Sequence, residues 1–388
     1  MINTKEIRDL VARVFESNNE KSLVQDFEEK FSERFGVDYS VAINSGTSGL
    51  HAALYAAGVG PGDEVIQPSL TVVMDAYATL YLGATPIFVD INPDTWNIDV
   101  NEIEKNITKK TKAIIVVSWY GLPVDIDPIM EIARKHNIVV IDDSAQTVLA
   151  DYKGKIAGTC ADIGVYSFEK TKHMTSGSEG GMVVTNTEFF AERIRKFAGI
   201  GYKNLTATAG RTSLASSVFQ DPGYERFDTI GHNYRMNLIT AACGIANFEI
   251  IDELIDKRKK IGPMFLKAVE GCSWIKTQKV LDYCEHSYYT FAILYDGEQQ
   301  RGIPWKEFYN TYIEMGGDGF YGCLKNPYLE PSLRGKSFDG REYPIGSCPI
   351  AEDYQKKIMC FKTNYRSLSL AQEKISVLSN LIDKIGRK

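Results

Sequence analysis

From about residue 40 to 200 the chain alternates short apolar runs with longer stretches whose apolar residues recur at helical spacing. The runs 39–43, 64–67, 85–89, 113–117, 138–141, 162–168 and 182–185 have strand length and are rich in valine and isoleucine. Between them 48–57 and 127–136 read as crossover helices. Such alternation predicts an α/β fold with a largely parallel sheet. Ligands of these sheets lie beyond the carboxyl ends of the strands, which brings 45–47, Asp143 and 167–172 to one edge.

Past residue 200 the pattern changes. Residues 201–230 are polar, glycine-bearing and aperiodic, and read as a long loop, either a functional segment or a plain insertion. Residues 238–259 then read as one long amphipathic helix leading out of a large domain. The remainder mixes an aromatic strand-like run at 287–294 with helices at 305–315 and 370–385, which suits a smaller α+β unit. A chain of 388 residues exceeds the usual size of one core, so a large domain 1–250 and a small domain 251–388 are expected.

Composition narrows the function. A net charge of −6, with lysines and acids intermixed, offers no basic field for a nucleic-acid backbone. No apolar run approaches membrane-spanning length, and the opening residues 1–16 read as a charged amphipathic helix rather than a signal peptide, so a cytoplasmic location is expected. The seven cysteines lack metal-ligand spacing and are odd in number, and the five histidines form no zinc motif, which disfavours a disulfide scaffold or a metal site. Cys243, inside an apolar helical run, reads as a small core residue.

The most chemically suggestive stretch is Ser167-Phe168-Glu169-Lys170-Thr171-Lys172, followed by Glu179-Gly180-Gly181. It puts Lys172 in the turn between two strand-like runs, at a sheet edge where an amine could tether an aldehyde. Taken alone, Lys172 reads as a solvated surface lysine, since lysines mostly sit outside; the case for chemistry rests on the other motifs. Asp142 and Asp143 end another strand-like run; either could serve as a buried carboxylate, or both could cap the next helix. Ser45-Gly46-Thr47-Ser48 ahead of a helix is an N-cap in form, and a helix start also suits a phosphate.

These segments, together with Asn44 to Leu54, Pro68-Ser69-Leu70-Thr71, Tyr81 to Asp90, Ile141 to Gln146 and Gly231 to Met236, resemble in order the DegT/DnrJ/EryC1/StrS family of pyridoxal-phosphate sugar aminotransferases. The resemblance runs along nearly the whole chain. It implies a fold type I, aspartate-aminotransferase-like large domain and pyridoxal 5'-phosphate as cofactor. Lys172 rather than Lys170 would be the attachment lysine, because Lys170 has the wrong offset from Ser167-Phe168. Asp143 would hold the ring nitrogen's proton, with Gln146 near the ring hydroxyl. Gly46, Thr47, Ser48 and Ser167 would contact the phosphate. Asn233 and Arg235 would reach the site of a neighbouring subunit, implying a homodimer with shared active sites.

The same resemblance implies transfer of an amino group from an amino acid, L-glutamate, to a ketosugar or keto-cyclitol, nucleotide-linked or phosphorylated. The alternative within the family is sugar 3-dehydration, in which the lysine is replaced by histidine. Three departures stand out. Val72 follows Thr71 where many relatives carry an aromatic ring, and His173 follows the lysine where asparagine is commoner. The substrate-side stretch reads Met315 to Cys323 and Met359 to Tyr365 instead of the family's usual runs, leaving Tyr321 and Lys362 as substrate candidates.

Overall fold

The computed structural model describes residues 4–14, 22–210 and 214–388. Its central layer is a seven-stranded sheet formed by β1 (Tyr39–Ile43), β2 (Glu64–Pro68), β3 (Thr85–Val89), β4 (Thr111–Val117), β5 (Val139–Asp143), β6 (Ile163–Ser167) and β7 (Gly181–Thr185), in the order β1-β7-β6-β5-β4-β2-β3. All neighbours are parallel except β7, which runs antiparallel to both β1 and β6. The near-continuous hydrophobic runs follow from burial of both faces. In β4, Ala113, Ile115 and Val117 enter one core while Ile114 and Val116 enter another on the opposite face.

The reversal of β7 matters for the site. Gly181 at the start of β7 lies opposite both Ile43 and Ser167, the last residues of β1 and β6. The turn carrying Lys172 is therefore closed at its two ends on the same carboxyl edge where β5 delivers Asp143.

A second sheet consists of β8 (Ile275–Thr277), β9 (Thr290–Tyr295), β10 (Tyr321–Gly322) and β11 (Ile358–Lys362), all antiparallel, in the order β8-β9-β11-β10. Phe291, Ile293, Met359 and Phe361 pack on Phe265, Phe308 and the helix Leu368–Ile385. Ala292, Leu294, Ile358 and Cys360, on the other face, join the core of the first sheet. Asp151–Tyr152, Lys155–Ile156 and Cys284–Glu285 form a small third sheet.

Three expectations are corrected. The single helix over 238–259 is two helices, Leu238–Phe248 and Ile251–Val269, separated at Glu249-Ile250. The first is buried nearly all round, whereas the second carries a stripe of Ile251, Ile255, Ile261 and Phe265 that passes from the first sheet's flank to the second sheet's core. One straight helix would serve only one of these directions. The strand expected at 287–294 begins at Thr290, because Tyr288 takes a left-handed φ of 48°. The loop 201–230 contains a turn of helix, Ser216–Phe219, and its ends meet at a bridge between Tyr202 and Phe227, with residues 211–213 outside the described set. The helix expected over 1–16 is present as Thr4–Val14, its remaining positions lying outside the described residues.

Candidate active site

The helix Gly46–Ala56 starts at the end of β1, capped by Ser45, whose hydroxyl accepts the Ser48 N–H at 3.1 Å. Glycine at 46 is a packing requirement: a Cβ there would lie 2.9 Å from the Ser167 Cβ. The helix start and the end of β6 are thus pressed together, and the first-turn N–H groups and Ser167 hydroxyl share one corner. Thr47 is half-buried in that first turn. The Ser48 hydroxyl is committed locally, donating to Asn44 Oδ1 at 2.7 Å.

Lys172 follows in the turn after β6, half-buried, its Nζ 5.2 Å from the centre of the Tyr289 ring. Lys170 is exposed. The loop closes on itself through Phe168 N–H to Gly180 O (2.9 Å), Lys170 N–H to Ser178 O (3.0 Å) and Ser176 N–H to Phe168 O (3.1 Å). His173, beside the lysine, is buried against Ser287 O at 3.3 Å, and burial with the nearby Arg258 and Lys172 holds its imidazole neutral.

The two acids of β5 part company, as period 2 requires, but both are buried. Asp142 turns toward Ser118, Ser144 and Gly158, and burial lifts its pKa from the ordinary 3.8 to about 7. Asp143 turns to the site, accepts the Ala145 N–H at 3.0 Å and feels the charge of Lys172. Burial raises its pKa; the Ala145 N–H and Lys172 oppose the rise. Gln146 is buried nearby, its Oε1 accepting the Tyr120 N–H at 3.0 Å, which leaves its NH₂ as the free donor.

Asn233 and Arg235 are exposed and bonded to each other, Arg235 Nε to Asn233 Oδ1 at 3.2 Å. Their segment runs beside the helix start, with Asn44 N–H donating to Tyr234 O at 2.8 Å. Tyr321 is half exposed and lies alongside Tyr289, Thr290 and Arg258. Lys362 already has a partner, Asp318 at 2.9 Å, and lies over the Tyr365 ring.

Sequence reasoning missed Asp75, Arg258 and Tyr289. Asp75 is fully buried, accepts from Thr71 Oγ1 at 2.6 Å and is in hydrogen-bonding contact with Asp143. Its signal was a lone acid inside the apolar helical run 72–80, four residues after the hydroxyl of Thr71. Arg258 is buried, donating to Tyr289 O and Thr363 Oγ1, both at 2.8 Å, and thereby fixes the wall over Lys172.

A lysine, a buried carboxylate and a helix-start corner on one sheet edge suit an aldehyde-bearing, phosphorylated, aromatic nitrogen cofactor. The corner that a single methyl would close and the half-buried amine facing Asp143 meet that demand. The sequence pattern of the DegT/DnrJ/EryC1/StrS aminotransferase family matches residues 2–374. The chain belongs to that family. It is a fold type I, pyridoxal-phosphate-dependent sugar aminotransferase.

Among relatives of this family, the GDP-perosamine synthase of Escherichia coli O157:H7 is 39% identical over 72% of this chain and 71% of its own length. That of Caulobacter vibrioides is 42% identical over 61% and 59%. The solved structure of S. venezuelae DesV superposes with a TM-score of 0.84 at 25% identity, covering 97% of this chain and 94% of DesV. An aminotransferase from Psychrobacter cryohalolentis superposes at 0.83 with 27% identity, over 99% and 96%.

Proposed function

We propose that this aminotransferase moves an amino group from L-glutamate to a ketosugar carried on a nucleotide, with Lys172 and Asp143 as its catalytic pair. The observation that carries the pair is their placement: buried Asp143 ends β5, and Lys172 follows the end of its parallel neighbour β6 on the same sheet edge. The nucleotide-linked substrate is supported by the GDP-perosamine synthases at 39% and 42% identity.

Bound pyridoxal phosphate supplies an electron sink for the charge that develops at the donor's α-carbon. Lys172 would hold it covalently through Nζ and, when released, carry a proton between that α-carbon and the cofactor C4′. Asp143 would keep the ring nitrogen protonated through a charge-assisted hydrogen bond. Gln146 would donate to the ring hydroxyl from its free NH₂. Gly46, Thr47, Ser48 and Ser167 would receive the phosphate, Gly46 by letting the backbone approach. Tyr289 lies over the Lys172 amine, and Tyr321 would border the sugar. Lys362 would reach a substrate only by giving up Asp318.

We further propose a homodimer in which Asn233 and Arg235 complete the partner's site. Their exposure beside the helix start supports this, as do the neighbouring exposed apolar side chains Ile230, Phe227 and Tyr81. A large domain 1–250 and a small domain 251–388 remain our division of the chain. Among the described residues no helix is long and apolar enough to cross a membrane, and we propose a cytoplasmic enzyme.

The test is a half-reaction followed by nitrogen tracing. Glutamate labelled with heavy nitrogen, given alone, should convert the lysine-bound chromophore to the amine form of the cofactor and release 2-oxoglutarate. Adding GDP-linked ketosugar should restore the chromophore and place the label on the sugar. Accumulation of a deoxysugar and ammonia, with no labelled sugar, would mean dehydration instead. Borohydride fixation followed by peptide mapping should find the adduct on Lys172, and an adduct on Lys170 would reject the assignment.

A further inference from the structure

Asp75 has no part in the reading above, yet it is the most deeply buried acid near Lys172. It sits in the first turn of the helix Met74–Tyr81, with 0% of its surface exposed. One carboxyl oxygen, Oδ2, accepts from Thr71 Oγ1 at 2.6 Å. The other, Oδ1, is buried with no N–H or O–H donor among the described residues. The carboxyl it meets is that of Asp143, itself buried and already accepting the Ala145 N–H.

Two carboxyls in contact away from water are both acceptors when ionised, and neither can satisfy the other. A single shared proton removes the conflict: one acid becomes a donor and the other an anion. The charged and titratable groups that face Asp75 decide which. Lys172 favours the anion on either acid, but the Ala145 N–H is given to Asp143 alone, and Thr71, just ahead of Asp75's helix, needs only an acceptor oxygen, which a neutral acid retains. Burial then keeps the proton on Asp75, whose pKa is lifted well above the carboxylate range.

We propose that Asp75 is a positioning residue: a neutral carboxylic acid, anchored by Thr71, that donates its proton to Asp143 and holds that carboxylate ionised and aimed at the cofactor's ring nitrogen. The proposal rests on Asp143 being the ring-nitrogen partner. Asp75 touches neither cofactor nor substrate in this role.

Three variants, Asp75→Asn, Asp75→Ala and Asp143→Asn, test it with two readouts. In the apoprotein carrying carbon-13 aspartate, the infrared spectrum at about pH 8, above the Asp142 titration, should contain a protonated-carboxyl band that disappears in Asp75→Asn. Asparagine keeps an acceptor for Thr71 and a donor for Asp143, so the cofactor dissociation constant should stay within about threefold of the wild type, while Asp75→Ala should raise it about tenfold. Absence of the band, or equal weakening by Asn and Ala, would overturn the proposal, because the negative charge and not the donor would then be what counts. If Asp75→Ala does not fold, the infrared band and the Asn variant still decide. Asp143→Asn checks the underlying reading separately: cofactor affinity unchanged in that variant would remove Asp143 from the ring nitrogen, whatever Asp75 does.

Discussion

Two clusters of buried charge flank the first sheet, and they are built in opposite ways. At one, Arg195 and Glu28 form a two-pronged pair at 2.9 and 3.1 Å, and Arg195 also donates to Ser40 O and Ala207 O while Glu28 accepts the Ala42 N–H. Every nitrogen of the guanidinium and both carboxylate oxygens are used. At the other, among the described residues, Asp75 keeps an oxygen without a donor, Asp143 faces a second acid, and Lys172 lies over an aromatic ring in the field of those acids. The saturated cluster ties the helices Leu23–Phe35 and Glu188–Ala198 to β1 and has nothing left to offer a ligand. The unsaturated one carries spare hydrogen-bonding capacity in a low-dielectric setting, which is costly for folding and valuable for chemistry.

Mutation should separate the two most sharply at the lysine. Lys172→Ala is expected to lower transamination by about four orders of magnitude with little change in melting temperature, as read by single-turnover kinetics beside calorimetry. Loss of stability comparable to the loss of rate would erase the distinction. Arg195→Met should do the reverse. It leaves Glu28 buried without its partner and should cost about 3–5 kcal/mol in denaturant unfolding, while the protein that remains folded keeps its turnover per site.

A smaller effect tests the face of β5 turned from the site. Asp142 has a folded pKa of about 7 against an ordinary 3.8, so the native apoprotein holds a proton that the unfolded chain releases across that window. Stability from this group is therefore present at low pH and lost as pH rises toward 7. Buried His51, pushed down to about 4 by burial and His232, works in the opposite sense. The difference between variants isolates the acid: Asp142→Asn should gain on the order of 2–4 kcal/mol relative to wild type between about pH 4 and pH 7. A pH-independent difference would mean Asp142 is ionised in the fold. At the bottom of the scale, Arg34→Ala removes an exposed pair with Asp252 and should change stability by less than about 1 kcal/mol.

The strands of the first sheet were legible because burial on both faces forces uninterrupted apolar runs, and the β1 and β3 boundaries, Tyr39–Ile43 and Thr85–Val89, follow from the sequence alone. The edge shared by Ser45, Asp143 and Lys172 was legible too, since parallel strands deliver their ends to one side. Asp75 was not, because an acid in a first helical turn is ordinarily a solvated end-of-helix charge; only the tertiary packing of β5 behind it makes it otherwise. The break at Glu249-Ile250 was hidden for a similar reason: both sides have helical periodicity, and the change of direction comes from two separate cores. Arg258 lies in a charged run, Lys257 to Lys260, that reads as surface, yet its guanidinium turns inward to Tyr289.

The self-closed lysine loop has a mechanical consequence. Its backbone bonds run between Phe168 and Gly180, and Asn247 Nδ2 holds Thr175 O at 2.9 Å, so the loop is riveted to the frame of the first sheet. Asp143 belongs to that same frame. Tyr321 belongs to the other sheet, and Tyr289 and Thr363, which Arg258 anchors, directly flank its strands. The spacing between amine and carboxyl is therefore set within one frame, while the wall above Lys172 is supplied from the second sheet and tied to the lysine loop by the Thr171 and Tyr289 hydroxyls, 3.3 Å apart.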